Sequence, residues 1–488
     1  MNQPKRVLLL ALGPALFILL QVIGKPESMT EPAFQVLAIT IWIATWWITE
    51  AIPIAATALL PIILFPLTGA LDLAKTTSSF GHKYIFLYLG GFLIAIAIEK
   101  YDLHKRIALN IVRVIGSNLV RIILGFMVAT AFLSMWISNT ATSIMMLPIA
   151  MAVASQFIEN EGIANRQDIG KALMLSIAYS ASIGGLATLI GTPPNLVLAG
   201  VLEQTYGVKI SFFDWFLFGL PVSVVLLIVC WKYLTSYAYK LSSVEFPGGM
   251  AEIKSMLKKL GKITFEEKTV LWVFSITALL WVTRSLLQRF VPHLDDTIIA
   301  MSAGLLLFVL PTKDKGRGII KWEDCLKLPW DIILLFGGGM ALAKGFGETG
   351  LAGWIAGNLT QLQGLSLILL ILILVASVNF LTEITSNLAT TAMLLPVLAP
   401  MALAFDLHPY MIMVSATIAA SCAFMLPVAT PPNAVVFGSG YLRIPDMVRA
   451  GIFMNIFSII LITLFTYFLL PIFWDINPTV FPEDFIQP

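Results

Sequence analysis

Apolar runs long enough to cross a bilayer recur along nearly the whole of this 488-residue chain, separated by short polar or charged stretches. Eleven of them, at about 7–23, 33–49, 51–68, 84–100, 173–202, 212–236, 266–289, 296–311, 331–346, 411–440 and 447–474, predict membrane-spanning helices. Two further runs, at about 117–157 and 362–404, are each interrupted near the middle, by Ser138-Asn139 and by Ser386-Asn387 with Ser and Thr nearby. Small hydroxyls and amides halfway through an apolar run suit a re-entrant hairpin that enters and leaves from one side, with the polar residues at its tip.

Composition agrees with this pattern. Hydrophobic residues make up 58% of the chain and charged ones 12%, at a mean hydropathy of +0.89. That leaves too little polar surface to coat a soluble particle, so the fold class is an all-α polytopic membrane protein. The net charge of +2 says little by itself, and no nucleic-acid-binding footprint is present. Cys230, Cys325 and Cys422 are widely spaced and lack histidine neighbours, which argues against a disulfide framework or a zinc site. The first run follows Lys5-Arg6 without a convincing cleavage site and reads as a retained span.

Charge distribution orients the spans. With the N-terminus inside and both hairpins non-crossing, the loops at 100–120, 158–172, 237–265 and 312–330 are cytoplasmic, and these carry most of the Lys and Arg. The opposite side receives an acidic tail with Asp475, Glu483 and Asp484. The resulting plan is an N-terminal span over 1–32, a first repeat over 33–236, a cytoplasmic linker over 237–265, a second repeat over 266–474 and an external tail over 475–488. Met250, Ile253, Met256, Leu257 and Leu260, flanked by lysines, predict an amphipathic linker helix on the inner surface.

The repeat itself is written in motifs. Ser138-Asn139-Thr140 is followed by Thr192-Pro193-Pro194-Asn195, and Ser386-Asn387-Leu388 by Thr430-Pro431-Pro432-Asn433. Leu89-Gly90-Gly91 likewise resembles Phe336-Gly337-Gly338. The first hairpin opens from the inside and the second from the outside, so the two copies have opposite topology, the arrangement that permits alternating access to a midplane site. These observations imply a secondary transporter.

The motifs carry no formal charge. Unwound hairpin tips free carbonyls for a hard cation and amides for an anion. Asn139 and Asn387 each offer an oxygen and an amide N–H₂, while Ser138, Thr140 and Ser386 add hydroxyls. The prolines of Thr-Pro-Pro-Asn cannot continue a helix, so the spans at 173–202 and 411–440 are expected to break there. With no Lys, Arg, Asp or Glu in either motif, an anionic substrate needs mobile cations as counterions, and Na⁺ beside each Ser-Asn fits that need. Glu383 is the one nearby acid and can face the hairpin base instead of the ligand. Ser, Thr and Asn also act as interhelical glue, but glue does not require this combination to recur at one offset.

Other polar positions have blander readings. Gly90-Gly91 and Gly337-Gly338-Gly339 are expected at close helix contacts, Trp46, Trp47 and Trp215 at the membrane interface, and Lys344 snorkelling. His82, Lys83 and His104, at span ends, are expected to be solvated. No span carries a His/Asp/Glu cluster or nucleophile–base pair, which disfavours a membrane-embedded enzyme, and a channel does not need inverted half-repeats.

Together, the paired Ser-Asn and Thr-Pro segments and the stretch from His82-Lys83 through Leu89-Gly90-Gly91 to Leu103-His104-Lys105-Arg106 resemble the divalent anion:sodium symporter family. This family comprises dicarboxylate, citrate and sulfate carriers and includes the INDY transporters. The resemblance implies a homodimer in the plasma membrane, the inner membrane of a bacterium, with a scaffold part and an elevator-like transport part. It implies Na⁺ sites at Ser134, Ser138, Asn139 and Gly191, and at Thr382, Thr385, Asn387 and Ala429. Carboxylates would meet Asn139, Thr140, Ser386, Asn387, Thr430 and Pro431. Leu388 departs from the family pattern, which usually has Thr there. The expected activity is Na⁺-coupled import of a succinate-, malate- or fumarate-type dicarboxylate. The alternative is sodium-independent exchange of dicarboxylates, citrate or tartrate.

Overall fold

The computed structural model describes residues 3–116, 118–160, 163–241, 247–313, 316–359 and 366–485. All the regular elements among them are helical. Among the described residues, seven helices are long and apolar enough to cross a membrane. The first half begins with α1 (Gln3–Ile23), α2 (Glu31–Thr49), α3 (Ile54–Thr57), α4 (Leu60–Thr68) and α5 (Leu73–Ser78). It continues with α6 (Lys83–Lys100), α7 (Leu103–Ile115), α8 (Leu119–Ser134), α9 (Asn139–Asn160), α10 (Ile163–Gly185), α11 (Pro193–Tyr206) and α12 (Phe212–Lys232). The linker helix is α13 (Pro247–Lys259). The second half holds α14 (Phe265–Leu287), α15 (Asp296–Val309), α16 (Trp330–Glu348) and α17 (Leu351–Leu359), then α18 (Leu367–Leu381), α19 (Asn387–Ala404), α20 (Pro409–Ala420), α21 (Pro431–Phe437) and α22 (Ile444–Leu464).

Helices α8–α9 and α18–α19 fill the expected hairpins, with the turns at 135–138 and 382–386. Positions 117 and 362–365 of those two predicted runs lie outside the described residues. Two boundaries differ from expectation. The run at 51–68 is two short helices, because Ala58 at the break packs against Gly338 so closely that a Cβ there would lie 2.5 Å from the Ala58 carbonyl oxygen. The spans at 173–202 and 411–440 break earlier than their prolines: α10 stops at Gly185 and α20 at Ala420. Pro193 and Pro431 instead start α11 and α21, where a missing N–H leaves nothing unsatisfied.

Ion pairs and caps fix which loops share an end. At the end bearing the Lys- and Arg-rich loops, here the basic end, Lys100 meets Asp324 at 2.7 Å, Arg106 meets Glu267 at 2.9 Å and Lys171 meets Asp446 at 2.8 Å. At the far end Lys75 meets Glu348 at 2.7 Å, Lys83 meets Asp295 at 3.5 Å, and Trp474 Nε1 donates to the Asp214 carbonyl at 3.0 Å. Either hairpin, if it crossed the membrane, would put partners from this set on opposite sides.

The halves are interlocked. Gly90 of α6 packs on Ala300 of α15, and Gly338 of the matching glycine pair on α16 packs on Ala58. Each half thus inserts its glycine helix against the other, as close-approach glycines allow. The linker helix α13 packs on α7 and α9 with Ile253 fully buried, so its apolar face is turned onto the protein. Arg106 bonds the carbonyls of Leu260 and Gly261 just beyond its end, at 3.3 and 3.0 Å.

Several surface expectations fail for one reason: a polar group on an apolar body is cheapest to bury where a freed carbonyl awaits it. Trp47 and Trp215 are buried, not interfacial, and donate to the carbonyls of Ile54 (3.2 Å) and Leu186 (3.0 Å). His104 is buried with Nδ1 3.2 Å from the Ile98 oxygen. His82 and Lys83 are largely covered and engage Glu203. Lys344 does reach a helix end, donating to Ser78 Oγ at 2.9 Å.

Candidate functional site

Asn139 begins α9 just past the first hairpin turn, and its amide faces Ser134 Oγ at 2.6 Å and the carbonyl oxygens of Ala181 and Gly191, both at 3.2 Å. Ser134 Oγ in turn lies 2.7 Å from the Ala181 oxygen. Two carbonyls, a hydroxyl and an amide therefore converge where the hairpin meets the end of α10 and the break beyond it. With the amide nitrogen inward, Asn139 has two N–H protons to share among these three oxygens. With its oxygen inward, the same atoms form an acceptor-rich cage of the kind that replaces the water shell of a monovalent cation.

The second half repeats this geometry. Thr382 Oγ1 donates across 2.7 Å to Asn387 Oδ1 and lies 2.8 Å from the Ala420 oxygen. One hydroxyl proton cannot serve two acceptors, so this cluster also has more oxygens than protons. Behind each Asn, a hydroxyl one turn on bonds its carbonyl: Ser143 to Asn139 at 2.9 Å and Thr391 to Asn387 at 2.8 Å. The asparagines of the two Thr-Pro-Pro-Asn motifs match as well. Asn195 Nδ2 ties the Gly185 and Thr188 carbonyls at 3.3 and 2.8 Å, and Asn433 Nδ2 ties those of Ala423 and Leu426 at 3.4 and 3.0 Å.

Not every candidate joins these clusters. Ser138 Oγ caps the Ala141 N–H at 3.2 Å, and Thr430 accepts from the Asn433 N–H at 3.3 Å. The Thr385 hydroxyl is engaged inside its hairpin, with the Leu381 carbonyl at 2.9 Å and Thr390 Oγ1 at 2.6 Å. Ala429 is buried and its N–H bonds the Leu426 carbonyl at 3.2 Å. Thr140, Ser386, Asn387 and Asn139 are half-buried and Pro431 is exposed, so an accessible face runs across both tips. Leu388 is packed in the core, whereas its counterpart Thr140 is not.

The breaks themselves are held by residues that sequence reasoning missed or assigned elsewhere. Around the end of α10, carbonyls left free accept from side chains: Leu186 from Trp215, Ile183 of the last turn from Ser223 at 2.8 Å and, in the hairpin turn, Met135 from Thr188 at 2.5 Å. Beyond α20 the sign is reversed. The N–H groups of Phe424, Met425 and Leu426 donate to the Glu383 carboxylate at 2.8–3.2 Å, and Asn455 Nδ2 adds a bond of 2.7 Å. Asn379 Nδ2 holds the Cys422 carbonyl at 2.7 Å. Glu383 therefore does face the hairpin base. A charge buried this deeply is tolerated because donors surround it. The sequence clue was Glu383 itself; Trp215, by contrast, looked like any belt tryptophan.

Access differs between the halves. Helix α11 packs along α16, where a Cβ on Gly200 would lie 2.7 Å from Met340 Sδ and 2.9 Å from the Phe336 ring. At the C-terminal end of α21, Gly438 has only the carbonyls of Val435 and Ala434 within reach of such a Cβ. Residues 194–202 are buried throughout, whereas Pro431, Ala434 and Gly438 are exposed. The α11 side of the tips, toward the far end, is packed, and the α21 side, toward the basic end, is exposed.

Comparison with known proteins bears on this arrangement. Residues 4–475 match the sodium:sulfate symporter transmembrane region. A sodium-dependent dicarboxylate transporter, SdcS, of Staphylococcus saprophyticus is 46% identical over 471 residues, covering 95% of this chain and 91% of that one. The protein of the same name from Staphylococcus aureus is 46% identical over 477 residues, covering 96% and 92%. Two solved structures share the fold at low identity. They are Neisseria gonorrhoeae MtrF (TM-score 0.56, 14% identity, 93% of this chain and 98% of that one) and the Alcanivorax borkumensis YdaH transporter (TM-score 0.57, 11% identity, 92% and 100%). With a match that spans nearly the whole chain and relatives close to half identical, this protein belongs to the sodium:sulfate symporter family, the divalent anion:sodium symporters that its motifs resemble.

Proposed function

We propose that the chain is a Na⁺-coupled dicarboxylate carrier working by alternating access, with one half-site in each inverted repeat. The observation that carries this reading is the duplicated cluster of Ser134 or Thr382 hydroxyl, Asn139 or Asn387 amide and freed helix-end carbonyl. Such clusters accept Na⁺ without any fixed charge. Two cations offset a doubly charged C4 dicarboxylate of the succinate, malate or fumarate type, and the emptied site is neutral again, so it can return across the membrane. Ser134, Ser138, Asn139 and Gly191 would hold one Na⁺, and Thr382, Thr385, Asn387 and Ala429 the other. Carboxylate oxygens would meet the Asn139 and Asn387 amides, Thr140, Ser386, Thr430 and Pro431. Thr385 serves by turning its hydroxyl from Leu381 toward the cation.

The basic end is cytoplasmic in this reading, which puts the N-terminus inside, the acidic tail outside and the open path toward the cytoplasm. Transport follows when the hairpins with α10, α11, α20 and α21 shift as a body against α6, α14, α15 and α16, whose outer surfaces suit a homodimer interface. Labelled succinate uptake into proteoliposomes is the test. Uptake is expected to require a Na⁺ gradient and to fall to background when K⁺ or choline replaces Na⁺. Unchanged counterflow without Na⁺ would point to anion exchange and remove the symport.

A further inference from the structure

We infer that Lys83 and Glu203 form a latch that closes the extracellular passage and must part in each transport cycle. This rests on the alternating-access reading above. Glu203 lies one turn beyond Gly200 on α11, the helix that leads from the first half-site to the far end. Its Oε1 is 2.8 Å from Lys83 Nζ at the start of α6, and the same ammonium lies 3.5 Å from Asp295 Oδ2. Its other oxygen, Oε2, is buried without a hydrogen bond, 3.8 Å from His82 Nε2. His82 packs in turn toward Phe336, the ring that closes over Gly200. The ion pair and the glycine contact are thus on one face of α11 and seal one seam.

The other end lacks this device. The repeat places Trp330, followed by Asp331, where Lys83 stands and Tyr441 where Glu203 stands. Asp331 is exposed, and Tyr441 lies over Gly170 of α10. Neither supplies a cation, and α21 does not pack against α6 as α11 packs against α16. Closure of the extracellular seam is therefore backed by charge, and closure of the cytoplasmic seam is not. A partly covered ion pair holds when the seam is shut and exchanges for hydration when it opens, so removing it favours the outward-open state.

The test places a reporter in the seam. Met340→Cys carries a thiol facing Gly200, and a membrane-impermeant maleimide added outside labels it only when the seam opens. Glu203→Gln and Lys83→Met are each expected to raise the labelling rate about two- to fivefold, the range of a partly exposed pair. The double variant should label no faster than either single one, because both remove the same contact. Lys83→Arg should stay near the parent rate, and so should Lys75→Met, which breaks a far-end pair on α5 and α16. Parent-like labelling in both single variants, or additive acceleration in the double one, overturns the latch. Should Met340→Cys fold poorly, hydrogen exchange over 194–202 in the same charge variants replaces it, with faster exchange expected and unchanged exchange refuting the latch. Na⁺-driven succinate uptake by the unmodified protein is measured alongside. Its absence counts against the transport reading, whereas its presence with unchanged labelling counts against the latch alone.

Discussion

Helices α11 and α21 come from equivalent places in the two repeats, start with the same Pro-Pro-Asn and lie in opposite surroundings. Leu196, Val197 and Gly200 of α11 are wholly enclosed by α16, α19 and α20, while Ala434 and Gly438 of α21 are exposed. Identical local chemistry therefore does not fix burial; the position of the hairpin body relative to the surrounding helices does. One side packed and the other exposed against a single frame is the asymmetry that the proposed alternating access requires, since the two sides must not be open at once. The comparison also separates what the halves share, the Asn-centred oxygen clusters, from what they do not, namely how each break is held.

The sharpest way to break the equivalence of the half-sites is to remove one at a time. Under the proposed site assignment, Asn139→Ala and Asn387→Ala would each delete contacts to cation and carboxylate, at ~1.5–3 kcal/mol per charge-assisted bond. Both variants are therefore expected to lose roughly 100-fold or more in uptake, measured on purified protein with a parent-like elution profile. Transport that survives in one variant but not the other would make that half-site a structural relic.

Glycine pairs sharpen the difference in access. Gly200→Ala forces a methyl against Met340 and Phe336, an overpacking worth ~1–3 kcal/mol. It should lower both the thermal unfolding midpoint and uptake. Gly438→Ala meets nothing but carbonyls of its own segment, so the midpoint should hold. Uptake should still fall, because in the opposite state α21 takes the place against α6 that α11 now has against α16. Equal midpoint losses in the two variants would mean that the seams are not alternately closed.

Much of this was legible in the sequence because both signals are periodic. Apolar length marked the spans, and Ser-Asn marked the hairpin tips at 135–138 and 382–386. The lysine-rich loops predicted which segments share an end, and Lys100, Arg106 and Lys171 find their carboxylates there. What stayed hidden depends on contacts between distant segments. Nothing local distinguishes Trp215, which satisfies the Leu186 carbonyl, from a tryptophan at the lipid interface. Helices α10 and α20 end before their prolines because hairpin hydroxyls, Ser134 and Thr382, bind the last-turn carbonyls of Ala181 and Ala420. The Glu383 nest needs N–H groups about 40 residues away, which no short-range pattern reveals.

The smallest effect concerns pH at the closed seam. Burial is the main influence on His82 and holds its imidazole below the ordinary value of 6.5, against an opposing pull from Glu203 and with support from Lys83. Asp295 and Tyr84 complete the titratable groups around it. A histidine whose value is lowered in the closed state stabilises closure fully above its solvated value, and that contribution is lost as pH falls through the lowered one. Opening the seam hydrates the ring and restores its basicity, so acid favours opening. Labelling of Met340→Cys should therefore accelerate as the pH falls below about 6.5. Adding His82→Gln should flatten this response and leave the rate at pH 7.5 nearly unchanged. A response that persists in the Gln variant would remove His82 as its source. A response of opposite sign would mean that protonated His82 strengthens its contact with Glu203 more than burial weakens it, so that the seam closes harder in acid.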